Sequence, residues 1–305
     1  MKYAYIILAH KNPAQVQRLI LQLQSSQSEV DFYIHIDKKV DMHAFKLLLK
    51  DIQNIYWLTR RDSKWGSFEL VQVVLDAFTA QQKLAKSYSH TILLSGQDYP
   101  IKPIQKLESF LENNLDKSFI EYQPLPVDKL KYGGWDRFQK WHFYWGNHKI
   151  TYPLYNKTYG ILDKVIALII GLFLSKKRTF NPAFTLFYGS QWWILNQNAV
   201  EYIQQFIKEN RWFVKFFKYV WISDEHFFQT ILLNHPKKEF KENILNKNYR
   251  YIDWSKPGVR LPVDLTMEDF EKIQNSDCFF ARKFDIQINE DIINVIDKEI
   301  LISKP

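Results

Sequence analysis

The chain has 305 residues, 46% hydrophobic and 24% charged, which suits one large globular domain and excludes a disordered or low-complexity protein. Its single cysteine, Cys278, excludes a disulfide framework and a cysteine-based zinc site, and fits a reducing, cytoplasmic setting. Aromatic residues reach 16% and the net charge is 41 − 33, or +8. Rings stack on sugars and bases and positive charge attracts phosphate, so the partner classes left open are nucleotides, glycans, nucleic acid and anionic membrane.

Met1-Lys2 runs at once into the apolar residues 3–8, too short a run for a signal peptide and its cleavage site; it reads as a first buried strand. Asn12-Pro13 then offers a helix cap and a first-turn proline, with Val16, Leu19, Ile20 and Leu23 at helical spacing. Residues 32–36 predict a second strand ending in Asp37, and residues 55–58 a short third. A helical pattern covers 68–78, and a strand at 91–94 leads into Ser95-Gly96-Gln97-Asp98. Pro103 opens the next helix, with Ile104, Leu107, Phe110 and Leu111 inward, and residues 119–122 return to strand. Short apolar strands alternating with helices imply a mostly parallel sheet covered on both faces.

Such sheets bind ligands outside the carboxyl ends of their strands. His10, Asp37 and residues 95–98 each follow a strand and are expected on one rim, although each alone is also an ordinary turn or cap residue. The dinucleotide fingerprint G-x-G-x-x-G and the Walker A loop are absent.

Beyond the break at Pro124-Leu125-Pro126 the pattern is less regular. Residues 131–150 are dense in aromatic and basic side chains, as a sugar-facing wall or a packed aromatic core would be. The apolar run 165–174 is too short to cross a bilayer, which takes about 20 residues. With Lys176-Lys177-Arg178 behind it, it reads either as a buried helix or as an interfacial one giving peripheral membrane contact through 165–178. Gly189-Ser190-Gln191-Trp192-Trp193 reads as a turn after a strand. Ser223-Asp224-Glu225-His226 opens a helix whose inner face is Phe228, Ile231 and Leu232. Acids are favoured at a helix start, which accounts for Asp224. Glu225, one residue further in, is a candidate general base. There is no Asp-x-Asp triplet to hold a metal on a diphosphate. Arg260 and Lys283 can supply that counter-charge without metal, or be plain surface cations.

Seven segments in order resemble the core-2/I-branching β-1,6-N-acetylglucosaminyltransferases, glycosyltransferase family 14, which also holds the peptide O-xylosyltransferases. They are residues 4–10 (AYIILAH), 32–39 (FYIHIDKK), 95–102 (SGQDYPIK), 189–193 (GSQWW), 223–228 (SDEHFF), 249–254 (YRYIDW) and 280–285 (FARKFD). The resemblance implies a GT-A-like α/β fold, a mostly parallel sheet flanked by helices. It implies one domain over 1–305, with a nucleotide-sugar-binding half at 1–123 and an acceptor-binding, catalytic half at 124–305. It implies an inverting transfer from a UDP-sugar, GlcNAc being the expected sugar, to a glycan or lipid-linked saccharide, with no metal or other cofactor. By the same resemblance Glu225 is the catalytic base, Arg260 and Lys283 bind the diphosphate, His10 and Asp37 bind the donor nucleotide, and Glu121, Tyr249 and Tyr251 face the acceptor. The animal enzymes carry an anchor, a stem and disulfides that this sequence lacks, so the expected setting is a bacterial cytoplasmic enzyme building a surface glycan. Another UDP-sugar transfer and a non-catalytic sugar-binding protein on the same frame are the alternatives. Nucleic-acid binding is not expected.

Overall fold

The alternation of strands and helices is realised in the computed structural model, which describes residues 1–25, 28–146, 148–153, 160–174, 177–254 and 262–301. Strands β1 (Lys2–Ala9), β2 (Glu29–Ile36), β3 (Ile55–Trp57) and β4 (His90–Ser95) lie parallel, in spatial order β4-β1-β2-β3. After them come β5 (Tyr99–Pro100), β6 (Ser118–Ile120), β7 (Gln123–Pro124), β8 (Trp141–Trp145), β9 (His148–Tyr152), β10 (Phe187–Tyr188), β11 (Trp193–Asn196), β12 (Ile244–Leu245), β13 (Arg250–Ile252) and β14 (Phe280–Arg282). β11 enters antiparallel between β4 and β6, and β12 joins parallel to β6. Strands from both halves of the chain therefore share one seven-stranded, mostly parallel sheet. A second sheet, β13-β14-β5, carries the late segment of the chain back to the exit of β4.

Both faces of the main sheet are covered. Helices α1 (Pro13–Leu23), α2 (His43–Leu48), α3 (Glu69–Lys83) and α4 (Ile104–Glu112) belong to the first half. Helices α5 (Asp136–Gln139), α6 (Ile161–Phe173), α7 (Gln197–Glu209), α8 (Arg211–Phe217) and α9 (Phe227–Leu233) belong to the second. The two-residue period of a strand divides β1 between two cores. Tyr3, Tyr5, Ile7 and Ala9 meet α1, α2 and α4, while Ala4, Ile6 and Leu8 meet the side built from α3, α7, α8 and α9.

The apolar spacing of α1 is as predicted, with Val16, Leu19, Ile20 and Leu23 buried, but Asn12 does not cap it. Asn12 has a left-handed backbone (φ 52°), and its Nδ2 donates instead to Asp285 Oδ1 at 2.6 Å. At the exit of β4, a Cβ on Gly96 would stand 2.8 Å from Val16 Cγ2 and 3.1 Å from Ala9 Cβ. Only glycine lets α1 settle this close to the strand ends.

Helix α6 buries Ala167 and rests Gly171 against Tyr152, yet Val165, Leu168, Ile169, Leu172 and Phe173 stay exposed. The buried-helix reading of this run is therefore wrong: too little of the protein packs over it. Arg178, the last of the basic residues behind it, is itself buried. Its guanidinium donates to the carbonyls of Lys140, Phe216 and Tyr219 and lies against the rings of Trp141 and Phe216. Among the described residues no helix is long and apolar enough to cross a membrane.

Candidate active site

The parallel strands end level with one another. Ala9 pairs with Ile36 and Leu8 with Ser95, so the residues that follow them share a rim. The Asp37 N–H donates to the Ala9 carbonyl at 2.9 Å and the Gly96 N–H to that of Leu8 at 2.8 Å. The Asp37 carboxylate accepts from the Lys39 N–H (2.8 Å) and the Ser63 N–H (3.0 Å), which folds the loop 59–67 over the rim. Arg60 caps the same turn by donating to the carbonyls of Ile36, Asp37, Lys38 and Val40.

Lys283, from the far end of the sequence, reaches this rim. The Phe284 N–H donates to the Gln97 carbonyl at 2.9 Å, and Gln15 Nε2 bridges the carbonyls of Gly96 and Phe284. Asp285 is paired with Lys11 and Asn12. The His10 pKa is lowered by burial first and then by Lys11, against the opposing pull of Asp37, with smaller contributions from Lys283 and Arg282. His10, Asp37 and Lys283 thus stand within one electrostatic neighbourhood. Arg282 lies with its guanidinium 4.1 Å from the centre of the Trp192 ring and its Nε 3.4 Å from Asp98 Oδ1. Asp98 is wholly buried, so the lone rim acid of the β4 exit serves as the counter-ion of Arg282.

The second group forms around Glu225, in a tight turn (Ser223–Glu225) that precedes α9. Glu225 Oε2 accepts from Arg137 Nη1 at 2.9 Å, and the same nitrogen lies 3.0 Å from His226 Nε2. Arginine can only donate, so Nε2 accepts and the other ring nitrogen, Nδ1, carries the proton. Nδ1 donates to the Phe187 carbonyl at 2.8 Å. Burial, then Arg137, pushes the His226 pKa down to about 3, so the ring is neutral and serves to aim Arg137. Burial raises the Glu225 pKa, and the Arg137 charge opposes that rise. Asp224 does not cap α9: its Oδ1 is buried without a hydrogen-bond partner, and burial followed by the Glu225 charge lifts its pKa to about 7.

Glu121 shares this neighbourhood. The Tyr188 pKa is lifted to about 12 by burial, then by Glu225, against Arg137, with Glu121 adding to the rise. Asn248 Nδ2 donates to Glu121 Oε2 at 2.7 Å, and burial of that carboxyl raises its pKa. Lys129 Nζ stands 5.2 Å from the centre of the Tyr188 ring and acts on both Glu121 and Glu225. Two connections tie this group to the rim. Gly66 accepts from the Ile222 N–H at 2.9 Å, joining the loop on Asp37 to the turn of Glu225. The turn 189–192 starts with the Gly189 N–H on the Glu225 carbonyl (2.8 Å) and ends with Trp192 under Arg282. A Cβ on Gly189 would fall 1.8 Å from the Glu121 carbonyl oxygen, so no other residue permits this crossing.

The remaining sequence-based residues are placed differently. The Tyr249 ring packs among Phe110, Phe119 and Phe279, an aromatic cluster rather than an open acceptor face. Tyr251 is half-buried on β13, with Asp253 and Asp269 as its charged neighbours. Arg260 lies outside the described residues. The aromatic stretch 131–150 is both core and wall: Trp141 and Phe143 pack on Tyr219, whereas Tyr132 and Trp135 are exposed. No group of three metal-ligating side chains comes together among the described residues.

Sequence reasoning missed Arg137, whose role depends on partners 88 and 89 positions away. If Glu225 is a general base it works deprotonated, and rate falls as pH drops through its raised pKa. Arg137 favours the carboxylate. Arg137→Met is therefore expected to move the acid limb of kcat against pH to higher pH, and Arg137→Lys to move it less. A limb that stays in place in both variants would show that the ion pair does not act on the base.

Comparison with known proteins gives the Core-2/I-branching enzyme family model as a match over residues 3–274. The β-glucuronosyltransferase GlcAT14A of Arabidopsis thaliana is 32% identical over 326 residues, covering 100% of this chain and 65% of that protein. Xylosyltransferase 2 of Homo sapiens is 24% identical over 330 residues, covering 100% of this chain and 34% of that protein. The dog protein of that name gives the same identity and coverage over 332 residues. The chain thus spans about a third of the length of the xylosyltransferases it matches. Among solved structures, HddC from Yersinia pseudotuberculosis aligns with a TM-score of 0.30 at 12% identity, over 66% of this chain and 79% of that one.

Proposed function

The chain belongs to the Core-2/I-branching enzyme family, and from that premise we propose that it is an inverting glycosyltransferase that moves a sugar from a UDP-sugar to a glycan hydroxyl. The observation that carries the reading is the pairing of two unlike groups across the turn 189–192. On one side is a carboxylate of raised pKa aimed by Arg137; on the other is the strand-end rim, where the Lys283 cation stands beside His10 and the Arg282–Asp98 pair. A binding protein needs the rim but has no use for a tuned base.

In this reading the acceptor hydroxyl gives its proton to Glu225 as its oxygen attacks the anomeric carbon. A general base of this kind contributes about 10²–10⁴ in rate. Lys283, with Arg260, balances the charge that develops on the departing diphosphate. His10 and Asp37 line the nucleotide end, and Glu121 with Lys129 lines the acceptor side. GlcNAc, xylose and glucuronic acid are the donor sugars to compare. The relatives' names favour the latter two, and the sequence resemblance favours the first. The single thiol, Cys278, suits a cytoplasmic setting.

Incubation with each UDP-sugar and a pooled glycan acceptor, scored by UDP release, tests the reading. Acceptor-dependent release from one donor supports it, and none from any donor rejects it. With no Asp-x-Asp triplet in the sequence, turnover is expected to persist in excess chelator. Turnover lost in chelator and restored by Mn²⁺ or Mg²⁺ would overturn metal independence.

A further inference from the structure

Helix α6 presents to solvent a side on which Ile161 is 82% exposed, Leu168 71%, Leu172 75% and Phe173 81%, with Val165 and Ile169 about half exposed. These positions recur at helical spacing and form one apolar face, which monomeric soluble proteins seldom leave bare. The helix is not loose. Gly171 fits against Tyr152 of β9, and just past its end Arg178 is clamped to three carbonyls between Trp141 and Phe216. The inner side is spoken for and the outer side has no cover among the described residues.

The charge around it selects the occupant. Residues 161–177 carry three basic residues (Lys164, Lys176, Lys177) against one acid, Asp163. Lys164 and Lys177 are exposed. A second copy docked on this face would set cation against cation. A surface of anionic lipid headgroups neutralises the cations while the apolar side chains enter the headgroup boundary. We propose that α6 lies in the plane of an anionic bilayer and docks the protein there, Lys164 and Lys177 meeting the lipid phosphates. The same hairpin that seats α6 carries Lys149, whose Nζ lies 3.2 Å from the centre of the Trp221 ring, next to Arg137. Docking through α6 therefore sets the acceptor side of the site beside the membrane.

Flotation of the full chain with vesicles tests this without reference to activity. Wild type is expected to float with phosphatidylcholine vesicles containing about one-third phosphatidylglycerol, and to bind at least tenfold less to phosphatidylcholine alone or in 1 M salt. Leu168→Glu with Leu172→Glu, both on the exposed face, should lower partition by at least about a hundredfold with an unchanged melting temperature. Lys177→Glu leaves the apolar face intact and should lower binding to the anionic vesicles by about tenfold to thirtyfold. The proposal falls if wild type stays in the soluble fraction with anionic vesicles, or if both variants float as wild type does. It also falls if sedimentation shows a dimer that Leu168→Glu dissolves.

Discussion

Glu225→Gln is expected to lower kcat by about 10²-fold or more while UDP affinity stays nearly unchanged. The amide keeps the size of the side chain and can still accept from Arg137 Nη1, so the turn at Ser223–Glu225 and its bond to Gly189 should survive. What the amide cannot do is take a proton. Asp224 is no substitute, because it is enclosed, and burial followed by the Glu225 charge raises its pKa. Asp98 is no substitute either, being fully buried and engaged with the Ser95 N–H and Arg282. Near-normal kcat in a folded Glu225→Gln protein would sink the base assignment. Glu121, whose pKa is also raised by burial, would be the next carboxylate to replace.

Lys283→Ala is expected to weaken UDP binding by about 10-fold to 150-fold and to lower turnover with it. One charge-assisted contact to a diphosphate is worth roughly 1.5–3 kcal/mol. The neighbouring Arg282 is poorly placed to compensate, since it is committed to Asp98 and the face of Trp192. Arg260→Ala should behave in the same way if it shares the diphosphate. The contrast with Glu225→Gln is the informative measurement: binding and turnover fall together at the cations, turnover alone at the base. Calorimetric titration with UDP at fixed ionic strength reads it. An affinity within about threefold of wild type for Lys283→Ala would remove Lys283 from the donor site.

What the amino-acid sequence settles by itself is the frame. The runs 3–8, 32–36 and 91–94 are apolar but for His35 and Thr91, as strands covered on both faces are, and parallel strands point their carboxyl ends to one side of the sheet. That places His10, Asp37 and residues 95–98 on one rim, and the level register of β1, β2 and β4 agrees. The helix expected after Ser223–His226 is present with Phe228, Ile231 and Leu232 buried, but Phe227, Gln229 and Thr230 are buried as well, so it is enclosed all round rather than on the one inner face its period suggests.

The rest is decided by partners that sequence separation hides. Asn12 stands where a cap should be, but Asp285 captures its side chain from 273 residues away and draws Lys283 to the rim. Arg137 lies on a four-residue helix with no local signal, and becomes the partner of Glu225 only because His226 and the aromatic walls aim it there. Tyr249, in a segment shared with the family, turns inward because three phenylalanines offer it a packed site. The run 165–174 is apolar enough for a core, and whether it is core depends on what other elements lie over it. Local pattern reports how much apolar surface a segment carries. Which surface meets which, and which charges are left facing each other, is a property of the folded chain alone.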